Sequence, residues 1–468
     1  MNKKRIVFVI TDDLYVRNYI KSDALNALRS EFECKFIVAN NVTHLYAFEQ
    51  ESIVGKYGLD PLIARHHYSM LELLTWRYRD KSKTFRFRIR KFDALLMETL
   101  FKAKMVGKIL TLMRIVKKWG RRVIFGNAAV FPKWFKYMQS TLRTCQDLDD
   151  AIVRARPDLV VFPCAAYNPD GNDIVNICRK NRIPSLFLVD NWDNLSSKSI
   201  LWAKPDSIAV WAEQTKEHAT DIQGFDINQV TCIGTPRFDK YFSCRNESLR
   251  PHFDFKYILF VGTALAFDEA GSLKRLNGII ERNPKTFTGV KIVYRPHPWR
   301  SGKDSILAMN LANVVVDPQM LDSYSQGNVS TSFQPDIDYY SSLLKNAQFV
   351  MGGLTSMVVE SMIFYKRFLA LVYPEQNNLT DPANVYRNYT HFEGLDNVST
   401  LSFCEHIEDL ERDFIQAWDR RTNVDEALVD SERSYYCFND ARAYSSRLLD
   451  LCGGAINSHC FAERSALY

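Results

Sequence analysis

The chain alternates short apolar runs with stretches of helical spacing, and it does so in two separate series. In the first series, Arg5–Ile10 and Cys34–Ala39 are predicted strands on either side of a predicted helix, and the same rhythm returns over 148–233. A polar stretch at 243–252 separates this series from a second one, which begins with the predicted strand Tyr257–Val261. Such alternation is typical of a parallel sheet with helices on both faces. We therefore expect an α/β fold of two doubly wound, Rossmann-like domains that face a cleft.

The length of 468 residues is sufficient for two ordinary domains. We place an N-terminal domain at 1–245, a C-terminal domain at 256–430, and a terminal helix with a loose tail at 431–468. A basic, aromatic-rich helical segment at about 60–145 is expected to be an insertion in the N-terminal domain. No apolar run approaches the roughly 20 residues that a membrane-spanning helix needs. Ten scattered cysteines without a C-x-x-C pair indicate reduced thiols, so we expect a cytoplasmic protein.

The net charge of +6 conceals a strongly uneven distribution. Between Trp76 and Arg143 there are 19 Lys and Arg residues against three acidic residues, a local charge of +16, while the remainder has 41 basic against 51 acidic residues, or −10. Cations interleaved with rings suit an anionic membrane surface or an anionic acceptor, which predicts a peripheral location at the inner face of the cytoplasmic membrane. No nucleic-acid-binding motif accompanies the segment, so a nucleic-acid partner is not expected. A merely solvated face is the remaining alternative.

A cluster of cations and prolines directly follows the predicted strand Val290–Tyr294. Arg295 and Arg300 flank His297, which stands between two prolines, the second being Pro298. Proline restricts the backbone, so the loop is expected to be stiff and the imidazole to be held in one direction. A fixed imidazole beside guanidinium groups suits a leaving phosphate, which gains negative charge in the transition state. The alternative is a surface turn whose arginines form ordinary salt bridges.

A second cluster lies where a later predicted strand ends and a helix is predicted to begin at Thr355 or Ser356. Gly352 and Gly353 precede these two hydroxyls, and backbone N–H groups with hydroxyls at such a point can bind an anion. Glu360, about one helical turn further on, can accept both hydroxyls of a ribose. Simple N-capping by the two hydroxyls is the structural alternative.

An Arg-x-His-Pro motif after one strand and a Gly-Gly-x-Thr-Ser…Glu motif after a later one resemble those of the GT-B glycosyltransferases. More narrowly, they are similar to the branch that uses cytidine-activated donors, namely bacterial sialyltransferases, Kdo transferases, capsule polysaccharide transferases and CDP-glycerol glycerophosphotransferases. In that branch a His-Pro motif and a Ser-Ser or Ser-Thr motif hold the nucleotide phosphate. The matching residues here are His297-Pro298 and, in reversed order, Thr355-Ser356. A further stretch, Cys232–Asp239, resembles the Gly-x-Pro-Arg-x-Asp stretch of the glycerophosphotransferases and would place Arg237 at the cleft.

The resemblance implies that the C-terminal domain binds the donor and that the chemistry is metal-independent, because cationic residues and helix dipoles neutralise the leaving phosphate. No cofactor is expected, since the nucleotide-activated sugar is a substrate. The expected donor-binding residues include two that follow the strand Tyr257–Val261. They are Gly262, Thr263, Arg295, His297, Pro298, Arg300, Gly352, Gly353, Thr355, Ser356 and Glu360.

A loop rich in functional side chains follows a predicted strand of the N-terminal domain. Its members are Asp190, Asn191, Trp192, Asp193 and Lys198. A carboxylate here can deprotonate an acceptor hydroxyl in an inverting reaction or attack the anomeric carbon in a retaining one, and the tryptophan can stack on a sugar face. Asp193 and Asp190 are therefore, with His297, the candidate catalytic residues. Weaker candidates are Asp12, Asp13 and Glu213, whereas Asn168–Gly171 is predicted to be a turn.

The function that combines these features is a glycosyltransferase that builds a bacterial surface polysaccharide or a lipid-linked glycan from a CMP-activated donor, with a Kdo-like ulosonic acid favoured. A CDP-glycerol glycerophosphotransferase and a UDP-sugar transferase are the alternatives within the fold. A nucleotide-sugar epimerase shares the fold, but its second carboxylate pair is not evident from the sequence. A non-catalytic nucleotide- or anion-binding protein is the alternative of another class. Metal ligation is not expected, because the Asp-x-Asp pairs at 147–149 and 336–338 lie on or beside predicted helices.

Overall fold

The structure is a computed structural model that describes residues 3–49, 52–264, 267–298, 306, 309–325, 336–375 and 378–465. The chain packs as two compact units, each built on one parallel sheet. The first unit comprises Met1–Thr235, Tyr389–His391 and Asn439–Tyr468, and the second comprises Pro236–Asn388 and Phe392–Phe438. The predicted α/β fold of two doubly wound, Rossmann-like domains is confirmed. The two units show which residues pack together, but they do not show which segments fold independently. The domain limits given above therefore stay a prediction.

Seven parallel strands form the sheet of the first unit. They are β1 (Arg5–Ile10), β2 (Glu33–Ala39), β3 (Ile53–Tyr57), β4 (Leu159–Cys164), β5 (Ser185–Val189), β6 (Ser207–Val210) and β7 (Val230–Cys232). Their order is β3-β2-β1-β4-β5-β6-β7, and in the register Phe8 of β1 lies opposite Phe36 of β2 and Val161 of β4. Strand order therefore reverses between β1 and β4, which is where doubly wound sheets bind ligands.

Six parallel strands form the sheet of the second unit. They are β8 (Lys256–Val261), β9 (Val290–Arg295), β10 (Val314–Val316), β11 (Val350–Gly352), β12 (Phe368–Leu371) and β13 (Leu401–Cys404). Their order is β10-β9-β8-β11-β12-β13, so the reversal lies between β8 and β11. Strand residues that are almost fully buried, such as Ile258, Phe260 and Met351, form its core together with Leu273 and Phe414 from helices.

Helices cover both sheets, as expected for apolar strands that are buried on two faces. Those of the first unit are Asp13–Tyr15, Asn26–Glu31, Pro61–Arg77, Lys83–Lys102, Met105–Gly126, Val130–Thr141, Gln146–Ala155, Pro169–Lys180, Glu213–Glu217 and Tyr444–Ser465. Those of the second unit are Pro236–Cys244, Glu269–Arg282, Pro318–Ser325, Ile337–Asn346, Met357–Ile363, Pro382–Asn388, Leu410–Asp419 and Glu426–Tyr436.

The basic segment is helical, as predicted, and consists of the four consecutive helices between Pro61 and Thr141. Buried side chains from all four of them, including Leu74, Phe85, Phe125 and Phe131, form a small apolar cluster of their own with Trp202. Among the helices that the structure describes, none combines the length and the apolar composition needed to cross a bilayer.

The C-terminal region contains two helices instead of the single terminal helix expected from the sequence. The chain turns between Tyr436 and Tyr444, where Asp440 accepts hydrogen bonds from Arg442 and Arg447. Arg447 also donates to the carbonyl of Ile233 at 2.9 Å. These contacts attach the second helix to the first unit, which local periodicity could not indicate.

Candidate functional site

In the second unit, the loops that follow β8, β9 and β11 converge at the carboxyl edge of the sheet, where strand order reverses. Gly262 lies so close to the loop after β9 that an added Cβ would stand 2.8 Å from the backbone nitrogen of His297. A Cβ on Gly353 would stand 2.3 Å from Cγ2 of Thr263. Both glycines are therefore required for the close approach of the three loops.

Gly352 is constrained in a second way. Its φ of +139° lies in a region that favours glycine, and an added Cβ would stand 2.2 Å from the carbonyl oxygen of Val261. The Gly-Gly pair is thus explained by packing of β11 against the end of β8, and it leaves the loop backbone without side chains at this edge.

Glu269 fixes the loop after β8, although it was not among the predicted site residues. This buried carboxylate, at the start of the helix Glu269–Arg282, accepts the backbone N–H of Thr263 at 2.8 Å and the hydroxyl of Tyr294. The sequence does show an acidic residue in the first turn of a predicted helix, which is a favourable position for a carboxylate. It does not show which loop that carboxylate contacts.

Arg295, a predicted phosphate ligand, has a structural role in this conformation. It is buried, forms an ion pair with Asp317, donates to Gln319 Oε1 at 2.7 Å and lies 4.1 Å from the ring centroid of Tyr340. A guanidinium held this tightly inside the protein does not face a ligand, so the geometry does not support the predicted role.

The Thr355–Ser356 pair precedes the helix Met357–Ile363. Thr355 Oγ1 accepts the backbone N–H of Met357 at 3.2 Å, whereas Ser356 Oγ donates to Glu360 Oε1 at 3.0 Å. Both residues are half-buried, so their hydroxyls are partly accessible. The helix thus begins at Met357, one or two residues later than the predicted start at Thr355 or Ser356, because Thr355 caps from outside the helix.

Glu360 is buried and already engaged within the second unit. Its Oε1 lies 3.2 Å from Nη2 of Arg237, and its Oε2 accepts the hydroxyl of Tyr241 at 3.1 Å. This arrangement differs from the prediction that Glu360 binds a ribose, and Arg237, which was expected at the cleft, is paired with that carboxylate. The pair instead joins the helix Pro236–Cys244 to the helix Met357–Ile363, which follows the Thr-Ser motif.

The histidine motif is described only in part. His297 and Pro298 are both half-buried, and the His297 backbone lies against Gly262. Arg300, the other predicted phosphate ligand of this loop, lies outside the described residues.

In the first unit, the loop after β5 is organised by Asp193. Its carboxylate lies 3.0 Å from Nζ of Lys198 and accepts the hydroxyl of Ser197 at 2.7 Å. Although burial raises the pKa of Asp193, the charges of Lys198 and His391 and the Ser197 hydrogen bond hold it at about 2. An effective general base has a pKa close to the working pH. With a pKa of about 2, Asp193 is too weak a base for that role at neutral pH.

Trp192 supports this loop from the inside. Its ring is 2% exposed and packs edge-on against His391, with ring centroids 5.0 Å apart. The predicted stacking of Trp192 on a sugar is therefore not supported. Asn191, by contrast, is half-buried, and its side chain accepts the backbone N–H of Trp192 at 3.0 Å.

The segment Tyr389–His391 is distant in sequence but packs within the first unit against this loop. Thr390 donates its backbone N–H to Thr84 at 2.8 Å, and Gln214 donates to the carbonyl of His391 at 3.1 Å. Arg88, from the same basic helix as Thr84, donates to the carbonyl of Ser197 at 2.6 Å. The helix Lys83–Lys102 of the basic segment and the Asp193 loop are thus held together.

Asp190 lies at the carboxyl end of β5, half-buried, with Asn18 Nδ2 at 3.5 Å from Oδ1. Burial, followed by the charges of Asp190, Cys164 and Asp12, raises the pKa of Tyr15. Burial, followed by the charge of Asp170 and, more weakly, that of Asp190, raises the pKa of Cys164. Asp190 therefore acts on both side chains, Asp12 on Tyr15 and Asp170 on Cys164. All three carboxyls follow the strands β1, β4 and β5, where strand order reverses in this sheet.

Two of these carboxyls show raised basicity. Desolvation raises the pKa of Asp12, which also accepts the backbone N–H of Leu14. Burial raises the pKa of Asp170 despite the hydrogen bond from the Tyr57 hydroxyl. From the sequence, Asp170 was expected only as part of a turn; Asn168 does cap the helix that begins there, accepting the N–H of Asp170 at 3.0 Å.

Asp13 and Glu213, the remaining candidate carboxylates of the first unit, have ordinary structural partners. Asp13 is buried and accepts hydrogen bonds from Thr43 and from the backbone of His44. Glu213 is exposed at a helix start and lies 3.6 Å from Lys216. In the part of the chain that the structure describes, no three His, Cys, Asp or Glu side chains are grouped as metal ligands would be.

No protein-family model and no curated protein sequence matches the chain. Solved structures do. The chain is similar to S. aureus MnaA in its complex with UDP, at 13% identity and a TM-score of 0.50 over 97% of both chains. It is also similar to a protein from Listeria monocytogenes described as a candidate UDP-N-acetylglucosamine 2-epimerase, at 11% identity and a TM-score of 0.51 over 98% of this chain and 97% of that one. The glycosyltransferase of kitacinnamycin matches 97% of this chain and 100% of its own at 12% identity, with a TM-score of 0.49.

The first two likenesses show the GT-B fold, as the sequence motifs predicted. At such low identity they show the fold alone. Neither of these two proteins is described as using a cytidine nucleotide, so the narrower resemblance is not supported by them.

Proposed function

We propose that the chain is a glycosyltransferase that takes its sugar from a nucleotide-activated donor bound by the second unit. The observation that carries the proposal is the convergence at the carboxyl edge of β8, β9 and β11. There, Gly262 and Gly353 leave no room for a Cβ, and backbone from three loops comes together beside His297. Doubly wound sheets bind nucleotides at this edge, and exposed loop backbone with hydroxyls is suited to phosphate oxygens.

Within this site, His297 and the hydroxyls of Thr355 and Ser356 bind the phosphate that leaves. His297 is the candidate catalytic residue of the second unit, since it stabilises charge that develops on the leaving oxygen. Gly352, Gly353, Gly262 and Pro298 shape the loops. Thr263 is held by Glu269 and fixes the position of the β8 loop.

For the base, we propose a uridine nucleotide in place of the cytidine favoured by the motifs. The support comes from two structurally similar proteins. One was solved in complex with UDP, and the other is described as an enzyme that acts on a UDP-sugar. CMP-linked ulosonic acids and CDP-glycerol are the alternative donors. A comparison of the affinities for uridine and cytidine nucleotides distinguishes them from a UDP-sugar.

In the proposed transfer, an acceptor hydroxyl oxygen attacks the anomeric carbon while the bond from that carbon to the phosphate oxygen breaks. The hydroxyl proton passes to Asp190, and the bonding electrons leave with the phosphate. We propose Asp190 over Asp193 because the latter is ion-paired, with a pKa of about 2. Asn191 and Lys198 are proposed to contact the acceptor, a lipid-linked or otherwise anionic glycan.

A nucleotide-sugar epimerase is the second candidate, and one observation favours it. Asp12, Asp170 and Asp190 follow the carboxyl ends of the strands β1, β4 and β5, so Asp170, expected from the sequence only as part of a turn, adds a carboxylate to the two that were already candidates. Epimerisation at carbon needs an acid and a base on opposite faces of the sugar. Carboxyls with raised pKa values suit both roles.

Two measurements test these proposals. Calorimetric titration with UDP, UMP, CDP and CMP is expected to show binding with preference for uridine; preference for cytidine would restore the CMP donor, and no binding would favour a non-catalytic protein. Incubation with UDP-N-acetylglucosamine in D₂O then separates the activities. Deuterium incorporation without an acceptor indicates the epimerase, whereas acceptor-dependent release of UDP indicates the transferase.

A further inference from the structure

The helix Met105–Gly126 exposes an apolar face that no other described element covers. Seven large side chains on this face are each more than half exposed: Met105, Ile109, Leu112, Met113, Val116, Trp119 and Val123. At 100° per residue they fall within about 120° of the helix circumference. Exposed apolar faces of this extent mark interaction surfaces on proteins.

The opposite face of the same helix is anchored to the protein. Thr111, Arg122 and Phe125 are buried, and Arg122 donates to both oxygens of Asp93, at 2.8 and 3.1 Å. Lys118 lies 3.2 Å from the same carboxylate. The helix therefore cannot turn its apolar stripe inward without breaking a partly buried ion pair, so the stripe faces outward in the folded protein.

Charge determines what can cover this stripe. The helix contains six Lys and Arg residues and no acidic residue. Lys108 and Lys117, both exposed, lie just beyond the two sides of the stripe when the positions are placed at 100° intervals. A second copy of this chain would bring like charges together, whereas an anionic lipid surface offers apolar depth for the stripe and negative headgroups for the flanking lysines.

We propose that the helix Met105–Gly126 lies in the plane of an anionic membrane surface, with its apolar stripe inserted among the acyl chains near the headgroups. At 22 residues it is about 33 Å long, which gives a long line of contact. The basic segment alone predicts electrostatic attraction to an anionic membrane. The proposal adds that the named apolar side chains of this helix insert into that membrane. It does not rest on the transfer reaction, because membrane binding is measured without a nucleotide.

Flotation with lipid vesicles tests the proposal on the full chain. Wild-type protein is expected to float with vesicles of equimolar phosphatidylcholine and phosphatidylglycerol, and poorly with phosphatidylcholine alone. Replacing Val116→Gln and Val123→Gln together is expected to weaken binding by roughly tenfold or more, since burial of each valine is lost. Replacing Lys108→Gln and Lys117→Gln should also weaken it, and more at low salt. The matched control, Lys274→Gln with Lys285→Gln, removes the same charge from exposed positions of the second unit and should bind like wild type.

Insertion itself is read from quenching by brominated lipids. Wild-type fluorescence should fall more than that of the Trp119→Phe variant, because Trp119 lies in the stripe. Equal quenching in the two proteins, or full binding by the valine variant, would overturn insertion. Failure of the wild type to float with anionic vesicles would overturn the proposal, as would a stable dimer that the valine variant converts to monomers.

Discussion

The Oδ2 atom of Asp193 lies 3.0 Å from Nζ of Lys198, and this ion pair determines the electrostatics of the loop after β5. Burial alone would raise the pKa of Asp193, but Lys198, His391 and Ser197 hold it at about 2, and Asp193 in turn raises the pKa of Lys198. The ion pair stabilises the conformation of the loop. Because Asp193 is too weak a base in this pair, we assign the proton transfer of the proposed reaction to Asp190.

Replacement of Asp193 by Asn should lower stability in a pH-dependent way. Because the folded pKa is depressed, the contribution of the carboxylate is present above the unfolded pKa of about 3.9 and is lost as pH falls toward 2. We expect a loss of about 2 kcal/mol at pH 7, from the difference between those pKa values. Thermal unfolding of wild type and variant from pH 7 to pH 2 measures it, with the exposed Asp254→Asn as control. A deficit of unchanged size throughout that range would argue against the ion pair as its cause.

His391 should make the first unit sensitive to mild acid. Burial lowers its pKa to about 3, so the folded state keeps it neutral while the unfolded state binds a proton below about 6.5. Stability is therefore lost as pH falls from about 6.5 toward 3, with about 2 kcal/mol lost by pH 5. His391→Phe, which retains a ring against Trp192, should reduce this slope in a series of thermal denaturation curves. An unchanged slope would assign the acid sensitivity to other groups, of which the buried His218 is the first to test.

Gly353→Ala should disturb the nucleotide site through one identified clash. The new Cβ would stand 2.3 Å from Cγ2 of Thr263, so one of the two loops has to move. We expect weaker UDP binding in calorimetry, and recovery of binding in the double variant Gly353→Ala with Thr263→Ser, because serine lacks Cγ2. Gly278→Ala is the matched control, since its Cβ would meet only the flexible end of Arg282, at 3.2 Å. If the double variant binds no better than Gly353→Ala, the clash is not the cause of the loss.

Arg295→Met separates a structural role from a phosphate-binding one. Removal of one partner of the buried Arg295–Asp317 pair should destabilise the second unit by about 3 kcal/mol or more. The protein that remains folded should bind UDP with nearly the wild-type Kd. Asp317→Leu in the same chain should recover part of the stability, since it removes the unpaired charge. A variant of normal stability with a large loss of affinity would show that the arginine does contact phosphate.

The sequence was sufficient for the parts of the fold that depend on local pattern. Apolar runs such as Arg5–Ile10 and Tyr257–Val261 are strands in the structure because their side chains are buried on both faces of a parallel sheet. The glycines and hydroxyls at 352–356 do lie at the end of a strand and directly after it, as their order along the chain indicated. Position after a strand was therefore a reliable guide to where loops gather.

The partners of the site residues could not be predicted, because they come from distant parts of the chain. Arg295 finds Asp317 on a neighbouring element, and Glu360 finds Arg237 from more than 100 residues earlier. His391 reaches Asp193 only through the fold. The sequence does not distinguish a charged loop side chain that binds a ligand from one that forms an ion pair within the protein. The choice between Asp190 and Asp193 depended on that distinction.

The most direct test of the proposed nucleotide site is a calorimetric titration of UDP into the wild-type protein and into the double variant Thr355→Ala with Ser356→Ala. Thr286→Ala with Thr288→Ala, at exposed positions of the same unit, serves as the control. We predict that the wild type and the control bind UDP and that the Thr355–Ser356 variant binds it about tenfold or more weakly, since two hydrogen bonds to a charged phosphate are lost. Equal affinity in all three proteins, or no UDP binding by the wild type, would contradict a nucleotide site at the carboxyl edge of β8, β9 and β11.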